Sequence, residues 1–214
     1  MIRLEIEHRV IELPEEHQGL ATGAYARSAL APVFKEAIEM HVQQTTIVLP
    51  LSESTLGRMI VKYSEQVVFQ PLREIRHWFT YASGAYIEPG YPPLYYARDR
   101  NRPVSPNKSA EAAVGEGVAG FLGQRLYRCR KLARPNHDYP DIVMETEQAT
   151  YLIEAKATME DGIDATMDEE LPRLAAMTVS ASQMDFRPVV GVLVGTSLTA
   201  EDLYRCIAVE VRLQ

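Results

Sequence analysis

The sequence predicts a mixed α/β protein, because strand and helix patterns alternate along its 214 residues. Residues 2–10 alternate in polarity, which is typical of a half-buried strand. Residues 114–126 repeat apolar side chains at helical spacing, and residues 189–194 form an almost continuous apolar run that indicates a strand buried on both faces. The apolar content of 46% and the charged content of 24% are typical of a soluble globular protein.

The N-terminal half carries no recognisable motif. Residues 24–44 are mostly good helix formers, residues 45–49 form a β-branched run, and residues 52–78 mix helical and extended signals and receive no assignment. No repeat or linker separates the two halves, so we expect one compact unit or two tightly packed ones. A soft boundary divides an N-terminal α/β region of unknown role, 1–104, from a C-terminal region, 105–214.

The C-terminal region opens with a predicted helix. Ser105 would cap its N-terminus, Pro106 would occupy its first turn, and its apolar face continues to Leu126. Glycines lower the intrinsic stability of this helix, so we expect its backbone to pack closely against a sheet. They are Gly115, Gly117, Gly120 and Gly123. Residues 127–133 then predict a first strand.

Two short apolar runs after this strand predict a hairpin that gathers three charged residues. Asp141 precedes the first run, and the second run leads into Glu154. Side chains alternate along a strand, so Glu154 and Lys156 share a face while Ala155 points the other way. Two adjacent carboxylates repel each other unless a cation lies between them, and Mg²⁺ takes oxygen ligands of this kind. The lysine could position or deprotonate a water, or stabilise developing negative charge.

The remaining residues predict a helix and more sheet. The acidic residues 168–170, followed by Pro172, suggest the first turn of the helix. Thr199 and Asp202 resemble a capping pair for a short last helix. Residues 206–211 can close the sheet.

The spacing of Pro140-Asp141 and Glu154-Ala155-Lys156 resembles the PD-(D/E)xK signature of the restriction-endonuclease-like nuclease superfamily. The resemblance covers roughly residues 105–214 and implies a core of helix, three strands, helix and strand. It implies that Asp141, Glu154 and Lys156 are catalytic. It also implies that Asp141, Glu154 and the Ala155 carbonyl hold Mg²⁺, with Mn²⁺ as an alternative. The competing interpretation of so short a motif is a hairpin with a surface Glu/Lys pair.

Nucleases of this superfamily commonly place one more glutamate on the first helix, near the metal. Glu116 has the separation from the helix end that this role requires, and we favour it. Glu111 falls nearer the centre of the apolar face. The two side chains point roughly 140° apart at 100° per residue, so both cannot face one ion, and the other should be a solvated helix glutamate.

The charge distribution favours a nucleic-acid partner despite a net charge of −7. Between residues 98 and 134 there are nine Lys/Arg against three acidic residues, a local basic band on an acidic body. The candidate nucleic-acid-binding residues are Arg98, Arg102, Arg128 and Arg130. We expect the last two to share a strand face.

These observations predict a metal-dependent deoxyribonuclease, a phosphodiester hydrolase acting on DNA in preference to RNA because DNA is the superfamily's commonest substrate. The alternative is a catalytically inactive nuclease-fold protein that binds nucleic acid or a protein partner. A third possibility, a small-molecule metal hydrolase, is disfavoured because the sequence lacks the histidine-rich ligand pattern that such sites usually show. The absence of an apolar span and of a signal peptide predicts a cytoplasmic protein with no membrane partner, and leaves a homodimer open.

Overall fold

A seven-stranded mixed sheet organises the chain in the computed structural model, which describes residues 1–39, 42–82, 85–88, 94–97, 106–135, 139–159 and 162–214. The strands are β1 Ile2–Leu13, β2 Val42–Leu51, β3 Ala85–Glu88, β4 Leu94–Ala97, β5 Arg130–Ala133, β6 Ile142–Glu145, β7 Thr150–Thr158, β8 Val189–Ala200 and β9 Leu203–Leu213. The helices are α1 Glu15–Ala26, α2 Ala31–Glu39, α3 Glu53–Tyr63, α4 Pro71–Ala82, α5 Lys108–Leu126 and α6 Ile163–Ser182, and a 3₁₀ turn, Ser28–Leu30, joins the first two. The mixed α/β prediction is confirmed.

The order of strands in the sheet is β2-β1-β9-β8-β7-β6-β5, and β3 pairs with β4 in a separate ladder. Neighbours in the large sheet are antiparallel except β1 with β9 and β7 with β8, which are parallel. The N-terminal strand therefore pairs with the C-terminal strand in the interior of the sheet. Both halves of the chain contribute to one sheet.

Helices cover both faces of the sheet. Helices α3, α4 and α5 pack on one face, and α1, α2 and α6 pack on the other. The strands are correspondingly two-sided: in β1, Leu4 and Ile6 enter the first layer of the core, whereas Ile11 and Leu13 enter the second. None of the helices in the described part of the chain combines the length and the apolar composition that a membrane crossing requires.

The glycines of α5 let its backbone approach two neighbours. A Cβ atom on Gly115 would lie 2.6 Å from the Cβ of Ala157 in β7, so the predicted close packing against the sheet is confirmed at this position. A Cβ on Gly117 would lie 2.6 Å from Cγ1 of Ile60, and one on Gly120 would overlap the ring of Tyr63. Ile60 and Tyr63 belong to α3, so part of the glycine content serves helix–helix packing.

Several predicted element boundaries are wrong, and one predicted helix is absent. The first strand of the C-terminal region begins at Arg130 and not at residue 127. Helix α5 begins at Lys108, where the Asn107 side chain accepts hydrogen bonds from the next turn, and Ser105 lies outside the described residues. Helix α6 begins at Ile163, so residues 168–170 lie in its interior together with Pro172. The short last helix does not form, because β8 continues to Ala200 and turns directly into β9.

The N-terminal half is better defined than its sequence suggested. The predicted strand over residues 2–10 is confirmed as part of β1. The good helix formers of 24–44 divide between α1, α2 and the start of β2, which runs past Pro50 along the edge of the sheet, where a missing N–H is tolerated. The unassigned residues 52–78 contain α3 and most of α4.

Candidate active site

The β6–β7 hairpin brings Asp141 and Glu154 into contact. Ile142 pairs with Ile153, which sets the preceding Asp141 opposite Glu154. The Asp141 N–H donates to Glu154 Oε2 at 3.2 Å, and the Ala155 N–H donates to Asp141 Oδ2 at 2.8 Å. The predicted hairpin is confirmed. Glu154 is only 4% exposed, so the interpretation as a surface Glu/Lys pair is wrong for the glutamate.

Lys156 lies between two carboxylates. Its Nζ donates to Glu154 Oε1 at 2.7 Å and lies 3.4 Å from Glu170 Oε1 on α6. The prediction that Glu154 and Lys156 share a face is confirmed, and α6 reaches the lysine through Glu170. The sequence pattern did not predict a role for Glu170, because residues 168–170 suggested the first turn of the helix. The spacing of Glu170 from Met167 and Leu174, three and four residues away on the buried stripe of α6, is the signal that could have found it.

An aromatic side chain closes the cluster on the α6 side. The guanidinium of Arg173 lies 4.2 Å from the centre of the Tyr139 ring. Burial, reinforced by the charges of Glu154 and Glu170, raises the pKa of the Tyr139 hydroxyl far above its ordinary value. Tyr139 therefore stays neutral beside the carboxylates.

Both carboxyl groups of the hairpin have pKa values above their ordinary range. Burial and the charge of Glu154 raise the pKa of Asp141 to about 7, with a smaller contribution from Glu116. Burial also raises the pKa of Glu154, against the hydrogen bond from Lys156. Burial acts to lower the pKa of Lys156, but Glu154 and Glu170 more than offset it, so that pKa is raised. The lysine is thus held as an ammonium ion.

Glu116 is the helix glutamate that acts on this cluster. Its carboxylate accepts the Glu65 N–H at 2.7 Å and Gln66 Nε2 at 3.1 Å, which ties the segment after α3 to α5. Its charge contributes to the raised pKa of Asp141. Glu111 instead pairs with Lys108 at 3.2 Å. Glu111 is 1% exposed, so the expectation that the disfavoured glutamate is solvated is wrong.

The donor set suits a hard divalent cation. Burial raises the pKa values of both carboxyl groups. The charge of Glu154 adds to the effect on Asp141, and the charge of Glu170 adds to the effect on Glu154. A cation would relieve these effects. Among the described residues, no three His, Cys, Asp or Glu side chains are already arranged around a common metal position. The Ala155 N–H donates to Asp141, and a role for the Ala155 carbonyl as a ligand stays a prediction.

The described members of the predicted nucleic-acid-binding set lie away from this cluster. Arg130 pairs with Glu145 at 2.7 Å, at the end of β6 opposite to Asp141. Arg128 precedes β5 and has a φ of 55°, so the expectation that it shares a strand face with Arg130 is wrong. Arg98 and Arg102 lie outside the described residues.

Comparison of the chain with family models, with curated proteins and with solved structures finds no match. The geometry of the Asp141, Glu154 and Lys156 cluster is therefore the basis on which a function can be inferred.

Proposed function

We propose that this protein is a Mg²⁺-dependent nuclease that hydrolyses phosphodiester bonds, with DNA as the favoured substrate. The observation that carries the proposal is the convergence of two buried carboxylates, Asp141 and Glu154, with the ammonium group of Lys156 at one end of a β-hairpin. A buried cluster with raised carboxyl pKa values needs a physical reason, and metal-assisted hydrolysis supplies one.

The order of elements supports the same proposal. Helix α5 is followed by the antiparallel strands β5, β6 and β7, then by α6, and then by β8, which is parallel to β7. This is the order of helix, three strands, helix and strand that the resemblance to PD-(D/E)xK nucleases implies. We propose that these elements form a restriction-endonuclease-like core, to which β9, β1 and β2 add further strands.

Each residue of the cluster has a role in this proposal. Asp141 and Glu154 would hold Mg²⁺, and Glu116 would complete the negative charge of the site from α5. A bound Mg²⁺ would supply Lewis-acid stabilisation of the charge that develops on the phosphodiester. Lys156 would donate hydrogen bonds to that charge as an ammonium ion, because its raised pKa makes it a poor base at neutral pH. Glu170 would keep Lys156 in place as Glu154 turns toward the metal.

The test is cleavage of circular and linear, single-stranded and double-stranded substrates, with Mg²⁺ and with chelator. We expect cleavage that requires Mg²⁺ and that falls on the order of 10²- to 10³-fold in Lys156→Ala, the usual cost of removing a donor to developing charge. Lys35→Ala is the matched control, because Lys35 pairs with Asp168 on an exposed surface.

Three outcomes would count against this proposal. Cleavage that persists in chelator would exclude a metal from the reaction. Cleavage at the wild-type rate in Lys156→Ala would exclude a catalytic role for the lysine. Binding of nucleic acid without cleavage of any of the four substrates would favour the catalytically inactive nuclease-fold module.

A further inference from the structure

Two lysines from different halves of the chain lie over one buried tyrosine ring. Lys62 lies in the last turn of α3 and Lys131 belongs to β5, and their Nζ atoms lie 5.1 Å and 5.7 Å from the centre of the Tyr63 ring. Lys131 Nζ also donates to the Lys62 carbonyl at 2.8 Å. The ring itself is fully buried, and its hydroxyl accepts a hydrogen bond from Gln124 at 2.7 Å. The buried and anchored Tyr63 ring therefore holds the two ammonium groups close to each other.

A third cation extends the group toward the end of β5. Arg134 Nε lies 3.3 Å from Glu65 Oε1, and its guanidinium also donates to the Ser64 carbonyl. Burial lowers the pKa of Lys131, and the charges of Arg134 and Lys62 lower it further, while Glu65 opposes them. The fold thus holds like charges together at a cost that an anion would relieve.

This basic cluster adjoins the candidate active site. Ala133 pairs with Val143, two residues from Asp141, so the end of β5 that carries Arg134 lies at the site end of the hairpin. Glu65 links the two groups from the other side, because its side chain pairs with Arg134 and its N–H donates to Glu116. Arg130, in contrast, lies at the far end of β6.

We propose that Lys62, Lys131 and Arg134 bind the phosphodiester backbone of the nucleic-acid substrate beside the bond that is cleaved. This inference rests on the proposed nuclease function and names the part of the surface that holds the substrate. It assigns part of the binding surface to α3, in the N-terminal half of the chain. Positioning of this kind sets register on the backbone and carries no sequence information by itself.

The test is binding of a fluorescent duplex by the metal-free protein as a function of salt, in Lys62→Gln combined with Lys131→Gln. Each duplex phosphate contact contributes about 0.9 to the slope of log K against log salt, so loss of two contacts should make the slope shallower by about 1.8. The corresponding loss of affinity at about 0.15 M salt is on the order of 30-fold. Lys35→Gln, on the opposite helical layer, should leave both quantities unchanged.

The outcomes separate the two proposals. If the wild-type protein binds the duplex and the double variant binds with the same affinity and slope, the cluster is not the phosphate site, and the nuclease proposal is unaffected. If the wild-type protein neither binds nor cleaves duplex or single-stranded nucleic acid at low salt, both proposals are overturned. Melting temperatures of the variants identify any loss of binding that follows from unfolding.

Discussion

Asp141→Asn is expected to abolish Mg²⁺-dependent cleavage and to stabilise the metal-free protein at pH 8. The substitution removes a ligand charge, and loss of several kcal/mol of metal-assisted stabilisation corresponds to a rate lower by on the order of 10³-fold or more. It also removes the repulsion between Asp141 and Glu154 that contributes to the raised pKa of Asp141. One change therefore has opposite effects on activity and on stability.

The sign of the stability effect follows from proton binding. Because the pKa of Asp141 is raised from 3.8 to about 7, the native state holds this proton more tightly than the unfolded chain does. The stabilisation that protonated Asp141 contributes to the free energy of unfolding is therefore fully present below pH about 4. It is lost as the pH rises to about 7. A shift of this size corresponds to at most about 4 kcal/mol, and partial solvent exposure lowers the expected gain for asparagine to about 2 kcal/mol at pH 8.

The measurement is urea denaturation of Asp141→Asn and wild type at pH 5 and pH 8, with chelator and with Mg²⁺. We expect a gain for the variant at pH 8, a smaller difference at pH 5, and stabilisation by Mg²⁺ in the wild type only. Asp185→Asn is the matched control at the other end of the hairpin. The Arg187 N–H and the Thr150 hydroxyl lower the pKa of Asp185, so its replacement should destabilise the protein at pH 8 and leave cleavage intact.

A marked loss of stability in Asp141→Asn at pH 8 would contradict this account. It would mean that Asp141, through its acceptance of the Ala155 N–H, is a structural member of the hairpin rather than a poised ligand. Retained cleavage would exclude Asp141 from the active site directly.

The candidate site could be predicted from the sequence because its residues are close along the chain. Alternation in β7 places Glu154 and Lys156 on one face, and a short turn returns Asp141 to them. Glu170 reaches the same point from α6, and its position depends on the register of a helix that begins at Ile163, ahead of the acidic segment. The local signals of residues 168–170 and Pro172 concealed that register.

Other features depend on contacts between distant parts of the chain. The capping signal of Thr199 and Asp202 is local, and it is overridden because β8 and β9 pair along almost their whole length. Strand β1 pairs in parallel with β9, at the other end of the chain, and no residue near β1 in the sequence predicts that pairing. The contact of Glu65 with Glu116 is similarly invisible before α3 and α5 are packed.

Gly120→Ala is expected to destabilise the protein by about 2 kcal/mol, although alanine is the better helix former. An added Cβ would overlap the ring of Tyr63, which is fully buried and anchored through its hydroxyl by Gln124. Overpacking against a side chain that cannot move costs roughly 1–3 kcal/mol or more, which outweighs the roughly 1 kcal/mol that alanine contributes to helix propensity. The control is Gly57→Ala in α3, where nothing lies within 4 Å of the added Cβ, and a gain of about 0.5–1 kcal/mol is expected.

Chemical denaturation of both variants measures these differences, and equal stabilities would contradict the close approach of α3 to α5. The same approach carries the segment after α3 onto Glu116 and positions Lys62 beside Lys131. Gly120→Ala should therefore also weaken the binding of nucleic acid by those molecules that remain folded. Gly57→Ala should not weaken it. A close contact between two helices would then be what joins the N-terminal half of the chain to the candidate active site.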